Sequence, residues 1–103
     1  MDPRIEFLKS KIVEAADPDR IIMFGSQARG TATEDSDVDL LVIGPSELPR
    51  RQRQVRLRHA FFGCGIPCDL MALTQEEVDA RLRINGPFIN EILSTGKVIY
   101  ERQ

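Results

Sequence analysis

The sequence predicts a small α/β (α+β) fold, one sheet with helices packed against it. Short apolar runs of strand length alternate with longer stretches whose apolar residues recur at helical spacing. Read in order they give helix, strand, strand, helix, strand, helix, helix, strand. About a dozen residues separate the first two strands, too many for a tight hairpin turn.

Each element has its own signal. In Pro3 to Ala16, Ile5, Leu8, Ile12 and Ala15 or Ala16 fall on one helical face, with Asp2 as N-cap and Pro3 at the first helical position. Asp17-Pro18-Asp19 breaks that helix, and Arg20 to Phe24 follows as a strand ended by Gly25. Ser26 caps a short helix through Arg29, which Gly30 ends. Polar residues from Thr31 to Ser36 form a loop. Asp37 to Ile43 is the second strand, and the unbroken apolar run Leu40 to Ile43 predicts that both its faces are covered. A helix from Glu47 or Pro49 to Phe62 carries a ragged apolar face of Val55, Leu57, His59, Phe61 and Phe62. After the Gly63–Pro67 turn comes a strand, Cys68 to Leu73. Thr74 and Glu77 have capping-box spacing and open a helix to about Arg83. Asn85-Gly86-Pro87 starts the last helix, with Phe88, Ile89, Ile92 and Leu93, and Gly96 stops it before the strand Lys97 to Tyr100.

Composition narrows the class. The 103 residues make one domain, 1–103, able to bury about 65% of their unfolded surface. A net charge of −2 supplies no global attraction to nucleic acid, so direct nucleic-acid binding is not expected. No apolar run approaches membrane-spanning length, and no signal-like N-terminus or disulfide framework is evident. A cytoplasmic protein with two reduced thiols is expected.

The chemistry concentrates in residues 24–43. Gly25 and Ser26 precede Asp37-x-Asp39 by ten residues. Alternate strand positions share a face, so Asp37 and Asp39 project together while Val38 points into the other layer. Carboxylates paired in this way suit Mg²⁺ or Mn²⁺, which take oxygen ligands. A two-metal site needs a third acid, and Asp69, in an otherwise apolar strand, supplies it if that strand lies beside Asp37–Ile43. Glycine lets backbone approach a phosphate closely, and Ser26 offers a hydroxyl and an N–H at a helix start. Arg29, one turn on, either adds charge toward the phosphates or braces the loop.

Three other motifs fail. Gly25-x4-Gly30 lacks the P-loop lysine, since Thr31 stands there. Asp35-x-Asp37-x-Asp39 has Leu40 and Ser46 where an EF-hand needs glycine and glutamate. Cys64, Cys68 and His59 lack a fourth ligand for zinc.

The run Phe24-Gly-Ser-Gln-Ala-Arg-Gly30, then Ser36-Asp-Val-Asp-Leu40 and a later strand aspartate, resembles the minimal nucleotidyltransferases of the DNA polymerase β-like superfamily. The closing pattern, Phe88-Ile-x-x-Ile92 before Gly96-Lys-Val-Ile-Tyr100, extends the resemblance over nearly the whole chain. It implies a mixed sheet flanked by helices, with ATP as substrate and two Mg²⁺ ions. It assigns Gly25, Ser26 and Arg29 to the nucleotide, and Asp37, Asp39 and Asp69 to catalysis and metal. It also implies transfer of AMP to a partner protein, a HEPN-domain ribonuclease neutralised in a toxin–antitoxin pair. Larger relatives add a domain that grips the acceptor, so a protein acceptor is the favoured expectation. Two alternatives remain: occlusion of the ribonuclease without catalysis, and transfer to a small molecule.

Other residues carry plainer expectations. The arginines at 50, 51, 53, 56 and 58 form either a solvated helix face or a docking surface for an acidic partner or RNA. His59 is read as a packing residue, Cys64 and Cys68 as buried or turn thiols, and Tyr100 as structural.

Overall fold

Asp2 starts the first helix, α1 (Pro3–Ala16), by accepting the Arg4 N–H at 2.8 Å, with Pro3 at a position that lacks a partner anyway. Asp17 ends it in the left-handed region (φ 45°), a conformation that Asp tolerates better than most residues. The structure is a computed structural model and describes residues 2–33, 36–61 and 63–102. Glu34 and Asp35 of the polar loop, and Phe62, lie outside the described residues.

The remaining elements are β1 (Arg20–Phe24), α2 (Ser26–Arg29), β2 (Val38–Ile43), α3 (Arg50–Ala60), β3 (Cys68–Leu73), α4 (Gln75–Arg83), α5 (Pro87–Thr95) and β4 (Lys97–Glu101). The strands form one mixed sheet in the order β3-β2-β1-β4. β1 runs antiparallel to β2 and β4, while β2 and β3 are parallel. Parallel neighbours need a long crossover, and α3 provides it.

Strand alternation sorts the core into two layers. Ile21, Met23, Val38, Leu40, Val42, Leu70 and Ala72 pack with Ile5, Leu8 and Ile12 of α1 and with Leu57 and Phe61 at α3. Ile22, Leu41, Ile43 and Leu73 face Val78 of α4 and Ile89 and Ile92 of α5 on the other side. Both faces are therefore covered, as the run Leu40–Ile43 predicts; each such side chain contributes about 1.5–3 kcal/mol by burial. At Gly96 a Cβ would stand 2.7 Å from Ile22 Cγ2, so only glycine lets the end of α5 press onto β1.

The elements match the sequence expectation with corrections. β2 begins at Val38, whose N–H bonds Pro67 C=O at 3.0 Å, so Asp37 precedes the strand. Pro49 caps α3, which ends at Ala60. Its apolar face is narrower than expected: Leu57 and the capping Phe61 are buried, whereas Val55 and His59 are exposed. His59 is thus not a packing residue. Ala15 and Ala16 also face solvent. Cys64 and Cys68 are free and half-buried, and Tyr100 packs against the core.

Arg53 departs furthest from expectation. It is neither solvated nor available to a partner, since its guanidinium donates to both carboxylate oxygens of Glu77 (2.6 and 3.1 Å), to Ala72 C=O and, through Nε, to Leu48 C=O. Glu77 meanwhile accepts the Thr74 N–H at 2.8 Å in the capping box. One ion pair thus ties α3, β3 and the start of α4 together. The Arg53 hydrogen bonds hold the Glu77 carboxyl well below its ordinary range, at about 2.

Glu77→Gln is expected to destabilise the fold by about 1–3 kcal/mol at neutral pH, the scale of a charged hydrogen bond, reduced by Glu77's partial exposure. Because the folded-state pKa is depressed from 4.5 to about 2, the pair's contribution is full above pH 4.5 and lost as the pH falls toward 2. Urea unfolding across that range should show the wild-type advantage shrinking to near zero.

Candidate active site at the end of the sheet

β1 ends at Phe24, and Gly25 then takes φ 72° and ψ −152°, a conformation open in practice to glycine. A Cβ there would also collide with the Asp39 carboxylate. The residue that turns the chain from β1 into α2 is therefore the one that lets backbone and carboxylate lie side by side. The first helical bond is Arg29 N–H to Gly25 C=O at 3.1 Å, so the N–H groups of Ser26, Gln27 and Ala28 have no intrahelical acceptor. Ala28 is buried, and α2 packs against β1 and β2. Gly25, not Ser26, is therefore the N-cap of α2, no side chain caps it, and Ser26 is its first helical residue.

The carboxylates meet across β2 and β3. Asp39 is paired in register with Phe24 on one side and with Asp69 on the other. Neighbouring strand backbones lie about 4.8 Å apart, and parallel strands in register send matched residues to the same face. Asp39 and Asp69 therefore share the face of Leu41 and Leu73, toward α4 and α5. Asp37 lies just before β2, exposed like Asp69, while Asp39 is half-buried. Burial, and then the negative charges of Asp69 and Asp37, push the Asp39 carboxyl above its ordinary range; Arg29 pulls it back. The charges of Asp69 and Asp37 thus both reach Asp39.

The donor set suits a hard divalent cation, since carboxylates supply oxygen ligands. Among the described residues, however, no three acidic, histidine or cysteine side chains are grouped closely enough to hold a metal ion. The Arg29 side chain is exposed and, among the described residues, makes no hydrogen bond or ion pair within the protein.

Two contributors escape the sequence. Gln27 holds a buried amide nitrogen without a hydrogen-bond partner, which nothing in its residue type foretells. Phe24 meets Phe88 of α5 edge to face, with ring centroids 5.9 Å apart, so α5 reaches over the face that carries Asp39. An apolar residue before Gly25 and an exposed aromatic at a helix start are the only hints.

Residues 5–99 match the family of nucleotidyltransferase domains. The chain belongs to that family. Among curated relatives, "Putative protein adenylyltransferase MJ1305" of Methanocaldococcus jannaschii is 42% identical over 90 residues, covering 80% of this chain and 58% of the relative. The chain thus spans somewhat over half the length of that protein. "Putative protein adenylyltransferase MJ0604" of the same organism is 32% identical over 81 residues, 79% of this chain and 77% of the relative. Solved structures share the fold at lower identity. A Sulfolobus solfataricus protein described as a "putative nucleotidyltransferase" superposes with a TM-score of 0.62 at 23% identity, over 96% of this chain and 84% of its own. A toxin–antitoxin structure with AMP-PNP gives 0.66 at 19% identity, over 95% and 73%. A variant of the toxin–antitoxin pair MntA–HpeT gives 0.65 at 17% identity, again over 95% and 73%. The mixed sheet flanked by helices is thereby the fold of nucleotidyltransferases.

Because Asp39's pKa is raised by folding, its charge costs stability at neutral pH, and that cost is relieved as the pH falls through the folded-state value toward 3.8. Asp39→Asn should therefore melt a few degrees above the wild type without added metal. Millimolar Mg²⁺ should raise the melting temperature of the wild type and leave the variant unmoved. Gly25→Ala should lose about 1–3 kcal/mol from its left-handed backbone alone, read by denaturant unfolding.

Proposed function

We propose that this nucleotidyltransferase-family domain transfers AMP from ATP to a hydroxyl of a partner protein, with Mg²⁺. The observation that carries the reading is the register of Asp39 against Asp69, beside Gly25 and within the field of Asp37. Asp37, Asp39 and Asp69 would hold the metal, which when bound neutralises triphosphate charge. Gly25 leaves room for phosphate against the backbone, and the open N–H groups of α2 and the Arg29 guanidinium point to the same anion. Asp69, on the exposed edge strand, is placed to take the proton of the acceptor hydroxyl. The hydroxyl oxygen bonds to the α-phosphorus, the α–β phosphoanhydride bond breaks, and pyrophosphate leaves on the Gly25–Ser26 side.

The partner is proposed to be a HEPN-type toxin and this chain its antitoxin. The toxin–antitoxin structures sharing the fold support that assignment, as do the relatives named for protein adenylyltransfer. In a second reading the chain neutralises its partner by occlusion alone, without transfer. Among the described residues no helix is long and apolar enough to cross a membrane.

Label transfer from α-phosphate-labelled ATP in host lysate with Mg²⁺ tests the proposal. A labelled protein band is expected with the wild type, at least a hundredfold weaker with Asp39→Asn. Equal labelling by both, or none by either while partner inhibition persists without ATP, would replace catalysis with occlusion.

A further inference from the structure

Beyond Asp69 on the same face of β3 comes Met71, and Met71 opens onto a groove of about 350 Å³ between α3, α4 and α5. It is lined by the apolar Met71, Pro87, Phe88 and Ile89, by Gly86 and Gln54, and by Arg50 of α3 and Arg81 of α4. Phe88 is 52% exposed, although it leans on Phe24 beside Asp39. Residues two apart on a strand are separated by about 6.6 Å, so the groove begins one side chain away from the carboxylates.

Among the described residues neither arginine has an acidic partner. Arg50 makes no hydrogen bond or ion pair among the described residues, and Arg81 donates only to Glu77 C=O at 3.5 Å. An apolar floor with two uncompensated guanidinium groups above it complements a segment that is apolar in the middle and acidic on both sides. Position argues the same way: Met71 follows Asp69 on the same face of β3, and Phe88 leans on Phe24, so the groove adjoins the carboxylates.

We infer that this groove is the acceptor-docking site and that it binds an acidic segment of a protein with an apolar residue at its centre. The inference rests on the transfer reading for the word acceptor, but the binding itself does not require catalysis.

The test uses two fluorescent pentapeptides, one with a central phenylalanine flanked by glutamates and one flanked by lysines, measured by anisotropy. Affinity for AMP-PNP with Mg²⁺ is measured in parallel by calorimetry. The glutamate peptide should bind wild type in a salt-sensitive manner, and the lysine peptide at least tenfold more weakly. Arg50→Gln/Arg81→Gln should weaken the glutamate peptide about five- to tenfold with AMP-PNP affinity within twofold of wild type, and Phe88→Ala should weaken the peptide as well. Equal binding of the two peptides, or indifference to all these substitutions, overturns the assignment. So does a fall in AMP-PNP affinity in the double arginine variant, which would give the groove to the nucleoside. Loss of label transfer in lysate with peptide binding intact would count against the transfer reading alone.

Discussion

Backbone pairing in this protein places like charges together. The ladder between β2 and β3 runs in register from Val38–Cys68 to Ile43–Leu73, and its second rung joins Asp39 to Asp69. Neither carboxylate can leave that rung without unzipping a ladder whose other members lie in the two apolar layers. The electrostatic cost is visible in Asp39, whose carboxyl is pushed upward by burial and then by its two acidic neighbours. The core above and below β2 offsets that cost and holds the carboxylates in place. Destabilised charge held by a stable scaffold is the usual relation between function and fold.

Rigidity around the site comes from elsewhere on the sheet. The Arg53–Glu77 pair lies at the far ends of β2 and β3, near Leu48 and Ala72, where it locks α3 to α4. A larger groove, about 650 Å³, also opens at that end, between Ala15, Pro18, Gly44 and Leu73. Size alone would put the chemistry there, but the acids lie at the opposite end of the same strands. Charge convergence and the Gly25 backbone outweigh volume in locating the site.

Most of this was legible in the sequence because the informative residues are local. Gly25, Ser26 and the Asp37-x-Asp39 alternation follow from turn chemistry and a period of two, and Thr74 with Glu77 announces a capping box that the structure contains. Strand pairing was conditional: nothing local says that Cys68–Leu73 lies beside β2, so Asp69 joined the site only on that supposition, which the parallel ladder meets. The arginine-rich helix was illegible for a related reason. Arg53 differs from Arg50 and Arg56 only in facing Glu77, 24 residues away, and sequence spacing carries no record of that contact. His59 and Val55 were misplaced because α3 buries little beyond Leu57, leaving helical period without a face to report.

Taken across the sheet, the end that carries the acids has an order. The turn with open N–H groups belongs to β1 and β2, Asp39 to central β2 and Asp69 to edge strand β3, while the apolar groove runs from Met71 of β3 to Phe88 of α5, against Phe24. The proposed transfer calls on a leaving anion, a cation site, a proton acceptor and an incoming hydroxyl at this end. Only the last step requires solvent access, because the acceptor must arrive and depart. An edge strand meets that requirement, whereas a central strand would bury the acid under both helical layers. The parallel placement of β3 at the margin is therefore what supports reading Asp69, rather than Asp39, as the acid that faces the acceptor.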